Sequence, residues 1–237
     1  MKRSAIWRPL ACLLAVLLLT LSLPSCTGKV LYQVTVGDLT YTLRGVGEHV
    51  EQITVTRDGK RVGSYQKRGI KGELGGESYG FFVSDLNFDG HLDMFLLTGI
   101  TGTIQHYACY LWSPEQDTYL YDAPLSALGG MEIDNENQWL TARDYSLTVD
   151  PATDDTPEFE IRKDTFSIYR RQNGILTEVH RKELTYYEES DIYCYLILER
   201  DAQGEWETVR ESWITDERFD AAKCPLDATG YPGYVPN

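Results

Sequence analysis

The chain has 237 residues, 42% of them hydrophobic, and its 36 acidic residues outnumber its 22 Lys and Arg residues, for a formal net charge of −14. That length supports one sizeable hydrophobic core and a single domain, with two smaller domains as the alternative. The acidic balance argues against binding to nucleic acid or to anionic lipid headgroups, and it favours metal ions and cationic partners.

The N-terminal segment has the layout of an export signal. Positive charges at Lys2, Arg3 and Arg8 precede an apolar run over residues 10–23. The run is about 14 residues long, shorter than the roughly 20 residues that a membrane-spanning helix needs. It ends in Leu-Pro-Ser-Cys, which resembles the lipobox of bacterial lipoproteins, and the resemblance implies cleavage before Cys26 and lipid on its sulfur. The alternative is an ordinary signal peptide that ends near a chance cysteine.

Lipidation at Cys26 would anchor the protein to a membrane without spanning it. Two or three acyl chains give stable anchoring, whereas a single chain binds only marginally. Cleavage would remove residues 1–25 with three positive charges and no negative charge, which leaves 212 residues with a formal net charge of −17. We therefore expect a lipid-anchored protein on the extracytoplasmic face, at the cell surface or in the periplasm, with a lipidated tether over residues 26–30.

The rest of the chain has the pattern of consecutive β-strands. Tyr and β-branched residues alternate with polar residues in short runs such as Leu39–Leu43, Ile53–Thr56 and Phe166–Tyr169. Pairs that favour two-residue hairpin turns separate such runs, at Asp58-Gly59, Asn173-Gly174 and, more weakly, Gln203-Gly204. The pattern predicts an all-β, mainly antiparallel fold in a single β domain over residues 31–226. It leaves open whether that domain closes as a propeller, a sandwich or a barrel.

Little of the sequence favours helix. Leu125–Leu128 and Asp216–Lys223 are each expected to form a short helical turn. Residues 149–157, which are rich in Asp, Thr and Pro, are expected to form a solvated loop. The C-terminal residues 227–237 contain two prolines and two glycines and should be irregular.

Three cysteines remain when Cys12, in the signal, and Cys26 are set aside. This odd number allows at most one intramolecular disulfide. Cys109 and Cys194 lie in strand-like contexts, so they are either small buried side chains or partners in a bridge between strands, and Cys224 is the third. The sequence has no CxxC pair and no Cys/His pair at zinc spacing.

The stretch over residues 83–97 carries the pattern of a calcium-binding loop. Asp, Asn, Asp, Gly and Asp stand at positions 1, 3, 5, 6 and 9 of such a loop, namely Asp85, Asn87, Asp89, Gly90 and Asp93. Calcium takes roughly six to eight oxygen ligands, and His91 would add its backbone carbonyl while its imidazole points away. The alternative is an Asx-rich turn without metal. Because the carboxylates would repel one another without a cation, we expect a structural Ca²⁺ site.

The surroundings of this loop differ from those of an EF-hand. Leu96 stands at the twelfth position, where an EF-hand has a bidentate Glu. The flanking runs, Gly80–Val83 and Met94–Leu97, have the composition of buried strands rather than of amphipathic helices. The loop is therefore similar to the strand-flanked calcium loops of FG-GAP-type propeller repeats.

A wider resemblance covers residues 79–145. The run from Phe81 to Gly90 is followed by Leu92-Asp93, a small-residue loop at 98–103, Tyr110–Glu115 and Tyr119–Tyr121. This order resembles a family of propeller-like, calcium-binding bacterial lipoproteins typified by a Xanthomonas periplasmic immunity protein. The resemblance implies a propeller-like fold, the calcium site and inhibition of a lysozyme-like peptidoglycan hydrolase.

No pattern in the sequence points to catalysis. The four histidines are scattered, and the acid pairs Glu188-Glu189 and Asp154-Asp155 would point to opposite faces of a strand. The two carboxylates of a glycosidase can come from distant positions, so that chemistry stays open. We nevertheless expect the protein not to be an enzyme.

Two binding functions remain. One is a membrane-anchored, calcium-stabilised module for a protein or a cell-surface glycan. The other is inhibition of a basic peptidoglycan hydrolase, whose encounter with an acidic scaffold would be speeded by electrostatic attraction. The candidate contact segments are residues 69–79 and 98–106.

Overall fold

The computed structural model describes residues 28–47, 49–66, 69–70, 80–150 and 159–232. Cys26, the predicted signal peptide and Asp154-Asp155 lie outside these residues, as does most of the candidate contact segment 69–79. The strands are β1 (Lys29–Val36), β2 (Leu39–Val46), β3 (His49–Arg57), β4 (Lys60–Tyr65), β5 (Gly69–Ile70), β6 (Phe81–Ser84), β7 (Asp93–Thr101), β8 (Ile104–Ser113), β9 (Thr118–Asp122), β10 (Glu132–Asp134), β11 (Trp139–Asp150), β12 (Phe159–Gln172), β13 (Ile175–Tyr187), β14 (Ile192–Arg200) and β15 (Trp206–Thr215). A short helix, α1 (Ala123–Ser126), and two 3₁₀ turns, Asp216–Arg218 and Ala221–Lys223, complete the described part.

The strands form three antiparallel sheets. Strands β1 to β4 lie side by side in chain order, with β5 paired to β3, and form a five-stranded sheet. Strands β6 to β9 form a four-stranded sheet, and β10 to β15 form a six-stranded sheet, again in chain order. The predicted all-β, antiparallel class is confirmed.

The propeller-like closure is not found in the part of the chain that the structure describes. The three sheets have unequal strand numbers, and each is an open meander whose first and last strands do not pair. The sheets also differ in strand length, because β11, β12 and β13 each exceed eleven residues whereas β6 has four. Within the predicted fold class, only the propeller-like closure is wrong. Turn and strand patterns determine hairpins, but they do not determine how the resulting sheets close.

Two of the predicted hairpin turns form as the sequence indicates. Asp58 and Gly59 join β3 to β4 with φ angles of 49° and 74°, and Asn173 and Gly174 join β12 to β13 with 51° and 83°. Asp, Asn and Gly tolerate this left-handed conformation, which matches the twist of the paired strands. The third predicted turn, at Gln203-Gly204, lies in the loop between β14 and β15.

The four-stranded sheet lies in the middle of the molecule and is buried on both faces. Along β7, Met94 and Leu96 pack into a core shared with the five-stranded sheet. The alternate residues, Phe95 and Leu97, pack into a second core shared with the six-stranded sheet. Side chains alternate between the faces of a strand, so burial on both faces produces an uninterrupted apolar run rather than a period of two.

The first core is dominated by side chains from β2, β3 and the four-stranded sheet. Its buried members are Leu39, Tyr41, Leu43, Val50, Ile53, Val55, Phe81, Met94, Leu96, Ala108, Tyr110 and Tyr119. The hydroxyl groups of Tyr41 and Tyr119 lie 2.6 Å apart in a hydrogen bond, which satisfies two polar groups inside this core. The arrangement fixes the five-stranded sheet against the strands that carry the candidate loop.

Helix α1 closes one end of the second core. Asp122 caps it, since its carboxylate accepts a hydrogen bond from the Leu125 amide at 2.8 Å, and Pro124 lies in the first turn, where no amide donor is needed. Leu125 is buried beneath the helix. The helix begins two residues before the predicted turn at 125–128, because the cap at Asp122 sets its start.

The irregular C-terminal segment packs on the six-stranded sheet as far as it is described. Ala228 is buried, and the ring of Tyr231 lies 5.4 Å from that of Trp139. The Lys182 ammonium donates to the carbonyl of Thr229 at 2.6 Å. The backbone of this segment is irregular, as predicted, and the segment covers part of one face of the six-stranded sheet.

The three remaining cysteines are free thiols. Cys109, Cys194 and Cys224 are all buried and unpaired, so the first of the two alternatives, small buried side chains, is confirmed. Burial raises the pKa of Cys109 to about 12, which keeps this thiol protonated and unreactive. Within the described ranges, no helix is long and apolar enough to pass through a bilayer.

Candidate metal centre

The candidate loop connects β6 to β7 at one end of the central sheet. Its two flanking strands pair directly, with Ser84 opposite Asp93, so the loop over residues 85–92 has a fixed base. Gly80, which directly precedes β6, has a φ of 69°. Its carbonyl accepts a hydrogen bond from the Leu97 amide at 2.9 Å. A Cβ atom at Gly80 would lie 2.5 Å from that of Leu97, so this position requires glycine.

Side-chain oxygens of the loop gather around its own backbone amides. Asp85 Oδ1 and Asn87 Oδ1 both accept a hydrogen bond from the Asp89 amide, at 3.0 and 3.1 Å. Asp85 Oδ2 accepts from the Gly90 amide at 2.8 Å, and Asp89 Oδ1 accepts from the His91 amide at 2.9 Å. Three of the predicted ligands are therefore brought together on one side of a tight turn.

The loop backbone is held in a conformation that is unusual for its sequence. Gly90 has a φ of 88°, as its place in the pattern predicts, and Phe88 has a φ of 57°. The left-handed region is uncommon for an aromatic residue and costs on the order of 1–3 kcal/mol. Phe88 packs against the second core, so packing and the Asx hydrogen bonds together hold this strained position.

Asp93 occupies a different place from the other acidic residues, beneath the loop. It is completely buried, and its Oδ2 accepts the Leu86 amide at 2.9 Å while its Oδ1 accepts the Trp112 amide at 2.8 Å. Burial raises its pKa to about 7, partly offset by these two hydrogen bonds and reinforced by the negative charges of Asp89 and Asp85. Asp93 thus ties the loop to strand β8.

A cationic side chain from another sheet reaches the loop. Arg171, near the end of β12, donates from Nη1 to the carbonyl of Asn87 at 3.3 Å. The same nitrogen lies 3.9 Å from Asp89 Oδ2. This contact across 84 residues of sequence was not predicted, since nothing near Arg171 in the chain signals it.

The donor set can be compared with what different metals need. No three His, Cys, Asp or Glu side chains in the described residues form a ready metal cage. Such a cage is what zinc or iron sites use, whereas calcium also takes amide, backbone carbonyl and water oxygens in a flexible shell. Asp85, Asn87 and Asp89, with the His91 carbonyl and the buried Asp93 behind them, offer oxygen atoms and no nitrogen or sulfur. Their chemistry fits a hard cation.

The structure also places the other residues that the sequence analysis singled out. The side chain of His91 is exposed. The loop expected at 98–103 is wrong over most of its length, because β7 continues to Thr101 and β8 begins at Ile104, with Gly102 at a φ of 61° in the tight turn. Glu188 and Glu189 are both exposed in the turn between β13 and β14, rather than on a strand.

Comparisons with known proteins give one structural neighbour. No known family profile and no curated protein matches the sequence. A solved structure of a Xanthomonas protein related to a type IV secretion system is similar, with a TM-score of 0.49 and 16% sequence identity. The match covers 78% of this chain and 97% of that chain.

Proposed function

We propose that the protein is an extracytoplasmic, lipid-anchored binding module whose loop at residues 85–93 holds a structural calcium ion. It binds a protein or a glycan outside the cytoplasm and does not catalyse a reaction. The motif at Cys26 supports the anchor, and the oxygen-rich loop supports the metal. The negative charge of the chain supports a cationic partner.

The convergence of Asp85, Asn87 and Asp89 on one turn carries the metal part of the proposal. The Asp85 carboxylate and the Asn87 amide oxygen both accept the Asp89 amide, the Asp89 carboxylate accepts the His91 amide, and a third carboxylate is buried below them. Arg171, at 3.9 Å, supplies only one positive charge to this group. A divalent cation would offset the remaining negative charge and take up the free lone pairs of these oxygens.

Calcium would act by stiffening the structure that presents the binding surfaces. The loop is tied through Asp93 to β8 and through the Ser84–Asp93 pair to β6 and β7. An ion held here would therefore order one whole end of the central sheet. Order that exists before binding lowers the entropic cost of engaging a partner.

Isothermal titration calorimetry of the purified full-length protein with calcium and with magnesium tests the metal site. We expect one calcium ion per chain, weaker binding of magnesium, and no calcium binding by the Asp85→Asn/Asp89→Asn variant. The matched control is Glu205→Gln/Glu207→Gln, which removes the same two charges from exposed positions near and on β15. An equal loss of calcium binding in both variants would show that binding depends on overall charge and not on the loop.

Hydrolase inhibition is a second candidate, favoured by the hairpin between β7 and β8. The hairpin projects from the strand that begins at Asp93, and Ile100 near its tip is 39% exposed. A rigid, partly apolar tip of this kind is suited to insertion into an enzyme cleft. An Ile100→Asp variant should lose inhibition of a lysozyme-like peptidoglycan hydrolase while it keeps calcium binding. Absence of inhibition by the unmodified protein against a panel of such hydrolases would remove this candidate.

A further inference from the structure

The outer face of the six-stranded sheet is only partly covered by the C-terminal segment. Tyr145, Asp164, Leu184 and Tyr195 stand opposite one another on neighbouring strands and share this face. The chain between β15 and that segment also contacts this face, because the Tyr195 hydroxyl donates to the carbonyl of Pro225 at 3.0 Å and Phe219 stacks on Tyr193. Between these contacts and Tyr145 the face remains open and forms a cleft.

This cleft, which we call the Asp164 cleft, has a volume of about 340 Å³. Its lining combines three tyrosines, one aliphatic side chain, one arginine and one carboxylate, namely Tyr145, Tyr186, Tyr193, Leu184, Arg162 and Asp164. The size suits a side chain or a small molecule, and half of the lining residues are aromatic. It lies on the face of the sheet opposite to the one that packs toward the candidate metal centre.

Two of the three tyrosines are fixed by contacts within the protein. The rings of Tyr186 and Tyr193 lie 4.7 Å apart, and Tyr193 stacks on Phe219 with a centroid distance of 3.9 Å. The Tyr186 hydroxyl donates to Asp191 at 2.7 Å. Tyr145, on the other side of the cleft, is 45% exposed and presents its ring to solvent. A ligand would meet one wall, formed by Tyr186 and Tyr193, that is already ordered, which lowers the entropic cost of binding.

Asp164 lies partly buried in this cleft, and its carboxylate is not paired with any cation that the structure describes. No described residue makes a hydrogen bond or an ion pair with its carboxylate, and burial alone raises its pKa. The neighbouring Arg162 does not serve as its partner, because Arg162 donates twice to Glu160, at 3.0 and 2.6 Å. The Asp164 carboxylate can therefore accept hydrogen bonds from a cationic ligand.

We propose that the Asp164 cleft binds a primary alkylammonium group, in the form of a lysine side chain of a partner protein. The ammonium would pair with Asp164 and lie against the tyrosine rings, whose faces attract cations. The aliphatic stem would pack on Leu184 and Tyr145, as lysine stems do along apolar surfaces. This inference deepens the proposed function by naming the chemistry that the module recognises, and it depends on the module being a binding protein.

Titration of the purified full-length protein with three small probes tests the proposal. Nα-acetyl-lysine amide carries the side chain with its backbone, 1,5-diaminopentane carries the bare amine, and Nα-acetyl-norleucine amide has the same stem without the ammonium. We expect lysine amide to shift the NMR signals of the cleft tyrosines and norleucine amide to leave them unchanged. Stronger binding of the diamine than of lysine amide would overturn the assignment to a protein side chain in favour of a free amine.

Two variants link the binding to the cleft. Asp164→Asn keeps the shape of the side chain and should weaken lysine amide binding by about tenfold or more. Glu207→Gln, which removes one exposed carboxylate from the same sheet, should leave it unchanged. Equal affinity of the unmodified protein and Asp164→Asn for lysine amide, or equal binding of norleucine amide and lysine amide, would each overturn the proposal.

The same titration separates this proposal from the calcium site. It is run in excess EDTA, in calcium, and on the Asp85→Asn/Asp89→Asn variant. Amine binding that persists when calcium binding is absent would leave the Asp164 cleft standing while the metal part of the proposed function fails. Calcium binding without amine binding would leave the metal part of the proposed function standing while the Asp164 cleft proposal fails.

Discussion

The carboxylate of Asp93 accepts a hydrogen bond from the backbone amide of Trp112, on a strand 19 residues further along the chain, at 2.8 Å. Its second oxygen accepts the amide of Leu86, within the loop. One buried side chain therefore joins the candidate loop to β8. These two hydrogen bonds give Asp93 a structural function.

Removing this carboxylate should destabilise the protein whether or not calcium is bound. Asp93→Ala leaves two amide donors without their acceptor, and each such group costs roughly 1–3 kcal/mol. Asp93→Asn keeps one acceptor and should cost less. Urea unfolding in EDTA measures both variants. A loss in Asp93→Ala no larger than about 0.5 kcal/mol, the range of ordinary surface changes, would contradict a structural role.

Arg171 should compete with calcium for the loop. Its guanidinium lies 3.9 Å from Asp89 in a pair that is partly exposed, so the contact is worth at most about 1 kcal/mol. Arg171→Gln should accordingly raise calcium affinity by up to about fivefold. Lys60→Gln, at an exposed hairpin position far from the loop, removes the same charge and serves as the control. Weaker calcium binding by Arg171→Gln would mean that the arginine shapes the loop instead of competing.

Acid should weaken the six-stranded sheet through His180. This imidazole is buried, with the Tyr231 ring 5.0 Å away and Glu199 Oε1 3.3 Å from its Nδ1. Burial lowers the pKa of His180, Lys182 acts in the same direction, and Glu199 opposes them. The unfolded chain therefore takes up the proton first as pH falls. The stability contribution is complete above the ordinary histidine pKa of about 6.5 and is lost progressively below it.

Urea unfolding between pH 8 and pH 5 measures this effect. Each pH unit below about 6.5 should cost up to about 1.4 kcal/mol until the folded-state pKa is reached. His180→Phe, which keeps a ring against Tyr231, should flatten the dependence, whereas His49→Gln at an exposed strand position should not. Identical pH profiles for the unmodified protein and His180→Phe would rule out His180 as the cause.

Lipidation at Cys26 predicts that the protein is found with membranes and that it leaves them when this cysteine is replaced. Expressed in a bacterium from its own N-terminus, the protein should fractionate with membranes and incorporate labelled palmitate. Cys26→Ala should abolish both, because the thioether has no sulfur on which to form. Cys109→Ala provides the control for loss of a cysteine elsewhere. Palmitate incorporation into Cys26→Ala would disprove anchoring at this residue.

Local features of the structure could be predicted from the sequence where neighbours in the chain decide them. The turns at Asp58-Gly59 and Asn173-Gly174 depend on residues that tolerate positive φ, and both form at those residues. The apolar run Met94–Leu97 indicated a buried strand, and it is buried on both faces. In the same way, the Asx spacing of residues 85–89 indicated a tight, oxygen-lined turn.

Relationships between distant strands could not be predicted in this way. Arg171 approaches Asp89 only because the six-stranded sheet packs on the central sheet. Asp164 meets Tyr193 through the pairing of three successive strands, in which a shift of one residue would turn each side chain to the opposite face. Closure of the sheets was inferred from a resemblance and not from residues, and it needed correction, as did the loop expected at 98–103.

Thermal unfolding of the full-length protein, in excess EDTA and then in calcium, tests the calcium-stabilised module most directly. Extracellular calcium modules bind with dissociation constants of about 10⁻⁴–10⁻³ M, so about 10 mM calcium should add roughly 1.4–2.7 kcal/mol. For a domain of this size that amounts to a rise in Tm of roughly 3–10 °C. We expect this rise in the unmodified protein and its absence from Asp85→Asn/Asp89→Asn. An unchanged Tm in the unmodified protein, or an equal rise in both, would contradict this expectation.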